Sequence, residues 1–255
     1  MDVFSAAPLA GNALCVVVED CPEERMGAVA REMNLSETTF PSITGTTSYR
    51  NRIFTPSTEL PFAGHPSLGT AWVLGPGRWE QTTSGAIVTV ECDARHAVMT
   101  QPDPSIVAAE SGGLAAALGL AGTDGAFVAA AGGNRFLLVA TSADLADARP
   151  DHLALARLTT AMAVTGVCAV RRLSDRDLHV RAFFPGAGVA EDPGTGSAAG
   201  PIGILARRQW ATSVDLTIRQ GDEIGRPCRI EVHAEDGNLR VGGPVVACAE
   251  GRLLL

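Results

Sequence analysis

Short apolar or alternating runs, cut by Gly, Pro and Asp, dominate the chain. They predict strands at 13–19, 49–54, 87–91, 97–100, 136–140, 167–171, 179–184, 216–220, 229–233 and 238–242. Asp236-Gly237, between the last two, is a hairpin turn signal. Helical periodicity is scarcer. Residues 22–34 open on Pro and Glu and place Met26, Val29, Ala30 and Met33 on one face; residues 150–164 do the same with Leu153, Leu155, Leu158 and Met162.

Two further segments, 62–74 and 191–205, each run from a Gly-rich loop into a short, nearly all-apolar helix. A helix apolar on every side must be enclosed by protein. With strands on both flanks of each, the pattern predicts an α+β chain of two similar domains. Each is a mostly antiparallel, barrel-like sheet wrapped around a central helix. The halves are expected at 1–112 and 113–249, joined through the Gly-rich stretch 110–125, with a last strand near 250–255 available to complete the first.

The 255 residues, 46% hydrophobic and 19% charged, suffice for a well-buried core. No apolar stretch reaches the roughly 18–20 residues that cross a bilayer, and Met1-Asp2-Val3-Phe4 lacks a signal-peptide pattern, so a cytoplasmic location and no membrane partner are expected. A net charge of −8 spread along the chain argues against nucleic acid, whose phosphates it would repel. All 20 basic residues are arginine. Without lysine, neither a pyridoxal Schiff base nor a Walker phosphate loop can form. The six cysteines show no C-x-x-C pair or zinc-like spacing with histidine, which predicts reduced, packed thiols and no metal site.

The candidate chemistry lies at the two loops. A helix start exposes unpaired N–H groups and a partial positive charge, which favours an anion. Gly64-His65-Pro66 and Gly196-Ser197 supply two such starts, although ordinary Gly/Pro helix entries read the same way. Glu37 follows the first predicted helix; such a residue is usually solvated, and acid/base work would require burial. His65 reads equally as a proton shuttle or as a loop histidine satisfied by backbone. Asp192 before Pro193 reads also as a turn residue. Ser197 is not in a G-x-S-x-G context, so no Ser-His-Asp arrangement is signalled.

Several stretches together carry a resemblance. They are Asp2-Val3-Phe4 with Pro8-Leu9-Ala10-Gly11-Asn12, the run from Ala30 to Phe40, and Arg52-Ile53-Phe54-Thr55-Pro56. Glu59 to Pro66, Glu191-Asp192-Pro193 with Thr195-Gly196-Ser197-Ala198, and Gly221 to Pro227 complete the set. In order and spacing they resemble the PhzF-like family, named for an isomerase of phenazine biosynthesis, within the diaminopimelate-epimerase-like fold. The resemblance implies two similar domains with the site between them, a homodimer and no cofactor. It implies Glu37 as the proton-transferring residue, with His65, Asp192 and Ser197 holding and polarising a small carboxylate substrate. Ser36 and the main chain near Gly64 and Gly196 join as substrate contacts.

Related racemases and epimerases of this fold carry a cysteine at each loop; here Ala63-Gly64-His65-Pro66 and Glu191-Asp192-Pro193-Gly194 have none. A single carboxylate can lift a proton from one carbon and return it to another on the same face, which is isomerisation. For the phenazine enzyme the substrate is trans-2,3-dihydro-3-hydroxyanthranilate, with the C3 proton taken and redelivered within the conjugated ring. Gly194 stands where the family usually has a larger residue, which predicts a looser loop or extra space, and Tyr49 is the only tyrosine available to line a pocket. Competing readings are an isomerase for an alkylproline-type precursor, an amino-acid racemase or epimerase, and a catalytically silent carboxylate-binding protein.

Overall fold

The computed structural model describes residues 1–110 and 112–254. The first wrap comprises β1 (Asp2–Val3), β2 (Asn12–Val16), α1 (Glu23–Met33), β3 (Glu37–Gly45), β4 (Ser48–Phe54), β5 (Glu59–Leu60), α2 (Gly64–Leu74), β6 (Gly77–Thr82), β7 (Ile87–Cys92) and β8 (His96–Gln101). The second comprises β9 (Ser105–Ala109), α3 (Leu114–Leu118), β10 (Gly125–Ala131), β11 (Asn134–Ala140), α4 (His152–Ala161), β12 (Gly166–Arg172), β13 (Asp177–Phe184), β14 (Val189–Asp192), α5 (Gly196–Trp210), β15 (Asp215–Gln220), β16 (Cys228–Glu235) and β17 (Asn238–Val246).

The α+β arrangement is as expected. All strands join one continuous sheet, mostly antiparallel, with β2–β3, β4–β6, β11–β12 and β13–β15 parallel. The first wrap closes on itself through β17, whose residues 239–244 pair with β8 while Val245 and Val246 pair with β1. The edge of β17 that takes β1 also pairs, through residues 238–242, with β16 and carries the sheet into the second wrap. A final strand near 250–255 does not form. Residues 247–254 have no regular structure, Leu255 lies outside the described residues, and β17 has already filled the closing position. The short helix α3 follows within the Gly-rich stretch, and β9, before it, already pairs with β10 in the second wrap.

Both all-apolar segments are central helices. Gly64 through Ala71 of α2 are all buried, as are Ala198 through Ala206 of α5. Small residues permit the close approach: a Cβ on Gly69 would lie 2.5 Å from Leu14 Cδ2. The helix α2 is also tied down by buried polar side chains. Thr70 Oγ1 lies 2.8 Å from Thr39 Oγ1 and accepts from Asn51 Nδ2 at 3.2 Å. Gln81 Oε1 accepts from Asn51 and Tyr49, and its Nε2 donates to Ser67 Oγ at 2.6 Å. Such groups are tolerated inside because they satisfy one another. Tyr49 is therefore a fully buried core residue whose hydroxyl is spent on Gln81.

Candidate active site

Glu37 owes its position to the exit from α1. Asn34 takes the left-handed conformation (φ 48°) that closes the helix, its N–H returning to the Ala30 carbonyl. Three residues later the chain enters β3 alongside β2, with Glu37 paired to Leu14. The Glu37 side chain is 14% exposed, and its Oε2 lies 3.1 Å from Nε2 of His65, itself 5% exposed. Their approach lacks hydrogen-bond alignment, so both atoms are buried without a hydrogen-bond partner.

His65 is the second residue of α2, followed by Pro66, whose missing N–H costs nothing in a first turn. Burial opposes its charge, but the adjacent Glu37 carboxylate, with Asp192 beyond it, outweighs that and raises its pKa.

Asp192 ends β14 and faces the same space. Asn12 Nδ2 donates to its Oδ1 at 2.8 Å and Thr195 Oγ1 to its Oδ2 at 2.6 Å. Burial and the Glu37 charge raise the Asp192 pKa, while His65, Thr195 and Asn12 pull it down; the net direction is up.

The two helix starts meet. A Cβ on Gly64 would sit 2.5 Å from Ser197 N and 2.6 Å from the Gly196 carbonyl carbon, while one on Gly196 would lie 3.2 Å from His65 N. Only glycine allows this approach. Neither start carries a side-chain cap. The first-turn N–H groups of both helices therefore converge, uncapped, beside Glu37, His65 and Asp192. Ser197 is half-buried in the first turn of α5 and Ser36 half-buried just before β3; among the described residues neither hydroxyl makes a hydrogen bond.

The fold thus brings Glu37, His65 and Asp192 together beside Gly64, Gly196 and Ser197, with Ser36 next to Glu37 in the chain. Asn12 was missed as a site residue, although Gly11-Asn12 lies in a stretch that carried the resemblance. It is fully buried, and its Nδ2 also donates to the Gly194 carbonyl at 3.0 Å, bridging the two wraps. Gly194 opens no space: its missing side chain would strike Cys228 Sγ at 2.7 Å and Phe4 Cδ2 at 3.0 Å. All six cysteines are free, and burial pushes the Cys168 and Cys228 thiols, both near Asp192, well above the ordinary thiol range. No group of three or more potential metal ligands occurs among the described residues, and no described helix is long and apolar enough to cross a membrane.

A family model for phenazine biosynthesis-like proteins matches residues 1–251. The trans-2,3-dihydro-3-hydroxyanthranilate isomerase of Pseudomonas aeruginosa is 40% identical over 283 residues, covering 100% of this chain and 98% of that protein. The enzyme of the same name from Pseudomonas chlororaphis is 37% identical over 279 residues, with 100% and 98% covered. A Bacillus anthracis phenazine biosynthesis protein of the PhzF family superimposes with a TM-score of 0.86 at 22% identity, covering 100% of this chain and 97% of that one, a likeness of fold.

Proposed function

The chain belongs to the phenazine biosynthesis-like family and is an isomerase, and from that footing we propose that it moves a proton and a double bond within a small unsaturated carboxylate, with Glu37 as sole acid/base and no cofactor. The observation that carries this is the buried Glu37–His65 pair, 3.1 Å apart through Oε2 and Nε2, atoms that make no other contact with a polar partner, beside two uncapped helix starts. Proton transfer needs a group free to change partners, and the substrate carboxylate needs donors already in place. The N–H groups near Gly64 and Gly196 meet the second need.

The substrate class follows from the relatives: trans-2,3-dihydro-3-hydroxyanthranilate or a close analogue. Glu37 takes the C3 proton, the ring electrons shift, and the same carboxyl returns the proton to another ring carbon on the same face. The resulting enol then becomes a ketone. His65 and Asp192 orient and polarise the substrate, with Ser36 and Ser197 supplying hydroxyls at the rim. Inversion of a stereocentre would need a second free base, and both Asp192 oxygens are already engaged. A cytoplasmic homodimer is part of the same reading.

Incubation with that substrate in deuterium oxide tests the proposal. Isomerisation changes the conjugation absorbance and leaves deuterium at the new carbon; label at the original carbon with inverted configuration would replace this reading with an epimerase. Glu37→Gln should lower turnover by at least about 10²-fold and keep ligand binding, and turnover near the wild-type rate would remove Glu37 from the role.

A further inference from the structure

Behind Asp192, outside the reacting groups, lies a side chain that the proton chemistry does not use. Gln220 ends β15 and is 1% exposed. Its amide orientation is fixed by two main-chain groups of unambiguous polarity. The Thr195 N–H donates to Oε1 at 3.2 Å, and Nε2 donates to the Asp192 carbonyl at 2.8 Å. A flipped amide would set donor against donor and acceptor against acceptor. The same Nε2 donates to Thr195 Oγ1 at 2.9 Å. With one lone pair taken by the amide, the single hydroxyl proton of Thr195 is directed at Asp192 Oδ2, 2.6 Å away.

We propose that Gln220 is a positioning residue: it sets the Thr195 hydroxyl as a one-way donor to Asp192 and so keeps that carboxylate an oriented acceptor. The setting makes this necessary. Asp192 is faced by Glu37 at the start of β3, by His65 of α2, and by the Cys168 and Cys228 thiols of β12 and β16. Of these only His65 favours the carboxylate. Glu191, one residue earlier, is held away by Arg181, which donates through Nε at 2.8 Å and Nη2 at 2.7 Å, and successive strand residues point to opposite faces. Asn12 and Thr195 therefore supply the hydrogen bonds that oppose burial and the Glu37 charge, and the Thr195 bond is directed by Gln220.

The test is a carbon-13 NMR titration of aspartate carboxyls in the ligand-free protein, with Asp192 assigned by its loss in Asp192→Asn. Gln220→Met frees the Thr195 rotor and should raise the Asp192 midpoint by about one pH unit, the scale of one hydrogen bond to a charged group. Gln220→Glu, of matched size, would draw the Thr195 proton to itself and raise the midpoint further. Thr195→Val should reproduce the Gln220→Met shift, and adding Gln220→Met to it should raise nothing more. A folded Gln220→Met or Gln220→Glu protein with the wild-type midpoint, or additive shifts in the double variant, would overturn the proposal. The acid limb of kcat/KM should move the same way, a readout that rests on the proposed isomerisation. If the wild type does not turn over that substrate, the functional reading falls and the titration still decides Gln220.

Discussion

On one wall of the candidate site Asp192 has both oxygens occupied, by Asn12 from the first wrap and Thr195 from its own loop, with Gln220 bracing the loop behind. On the other wall Glu37 and His65 lie 3.1 Å apart with neither Oε2 nor Nε2 in a hydrogen bond. The Glu37–His65 contact is a close charge pair rather than a saturated hydrogen-bond network, and that difference suits different tasks. A group that must accept a proton and release it elsewhere gains nothing from fixed partners, whereas a group that holds substrate gains from being immobile. On the proposed reading the Asp192 wall holds substrate and the Glu37–His65 wall reacts.

The largest expected effect breaks the reacting wall. Glu37→Gln keeps the size and removes the base, and should cost about 10²–10⁴-fold in kcat with KM little changed, read by steady-state kinetics. Asp192→Asn breaks the holding wall and should look different. One of the two donors on Asp192 would then face an amide NH₂, since Gln220 prevents Thr195 from turning away. Losing a hydrogen bond to a charged group is worth about 1.5–3 kcal/mol, so kcat/KM should fall about 10–100-fold, with KM carrying more of the loss, and thermal stability should drop too. Equal kcat losses in both variants, with neither KM changed, would erase the distinction between the walls.

How much of this was legible beforehand follows the same division. Glu37, His65 and Asp192 stand in short local motifs that the family resemblance picks out, and the two enclosed helices announce themselves by lacking a polar face, so the candidate groups and central helices could be read off the chain. The holding network could not. Asn12 and Asp192 are 180 positions apart, and the role of Gln220 depends on which way an amide faces a loop from another strand. The strands that escaped notice had similar reasons. β10 reads Gly-Ala-Phe-Val-Ala-Ala-Ala, poor in β-branched residues, and forms because β9 and β11 flank it. β6 is largely polar and exposed, so it has no apolar alternation to detect. Gly194 was expected to loosen the loop or open space. Cys228 and Phe4 fill the volume, and nothing local to the loop signals them.

Gly64→Ala presses the walls apart without altering a titrating group. Its Cβ would enter the 2.5 Å approach to Ser197 N, where backbone rather than a flexible side chain must give way. Overpacking of this kind costs about 1–3 kcal/mol, measurable as a lower urea midpoint, and should weaken carboxylate binding by separating the two helix starts. If affinity is retained while stability falls, the starts do not share one anion.

The smallest effect sharpens the comparison through pH. His65 and Asp192 both have raised pKa values in the folded protein, so the native state holds protons that the unfolded chain has released. Stability from such groups is fully present below the unfolded pKa and is lost as pH rises through the folded one. The Asp192 window opens near pH 4, where carboxylates with lowered pKa values, such as Glu59 and Glu231, act in the opposite sense. The His65 window opens near pH 6.5 and runs upward, shared with the more exposed His96, which Glu231 raises through a hydrogen bond, and joined toward pH 8.5 by the thiols, whose pKa values are raised by burial. Urea midpoints from about pH 6.5 to 7.5, below the thiol range, should therefore fall for the wild type, with a slope from His65 no steeper than about 1.4 kcal/mol per pH unit. His65→Asn should flatten that slope. Because the Glu37 charge is the main influence raising the His65 pKa, Glu37→Gln should flatten it as well, and the double variant no further. Asp192→Asn should flatten it only slightly, since Asp192 contributes less. A slope that survives Glu37→Gln but disappears with Asp192→Asn would place the imidazole's partner on the holding wall and invert the division of labour.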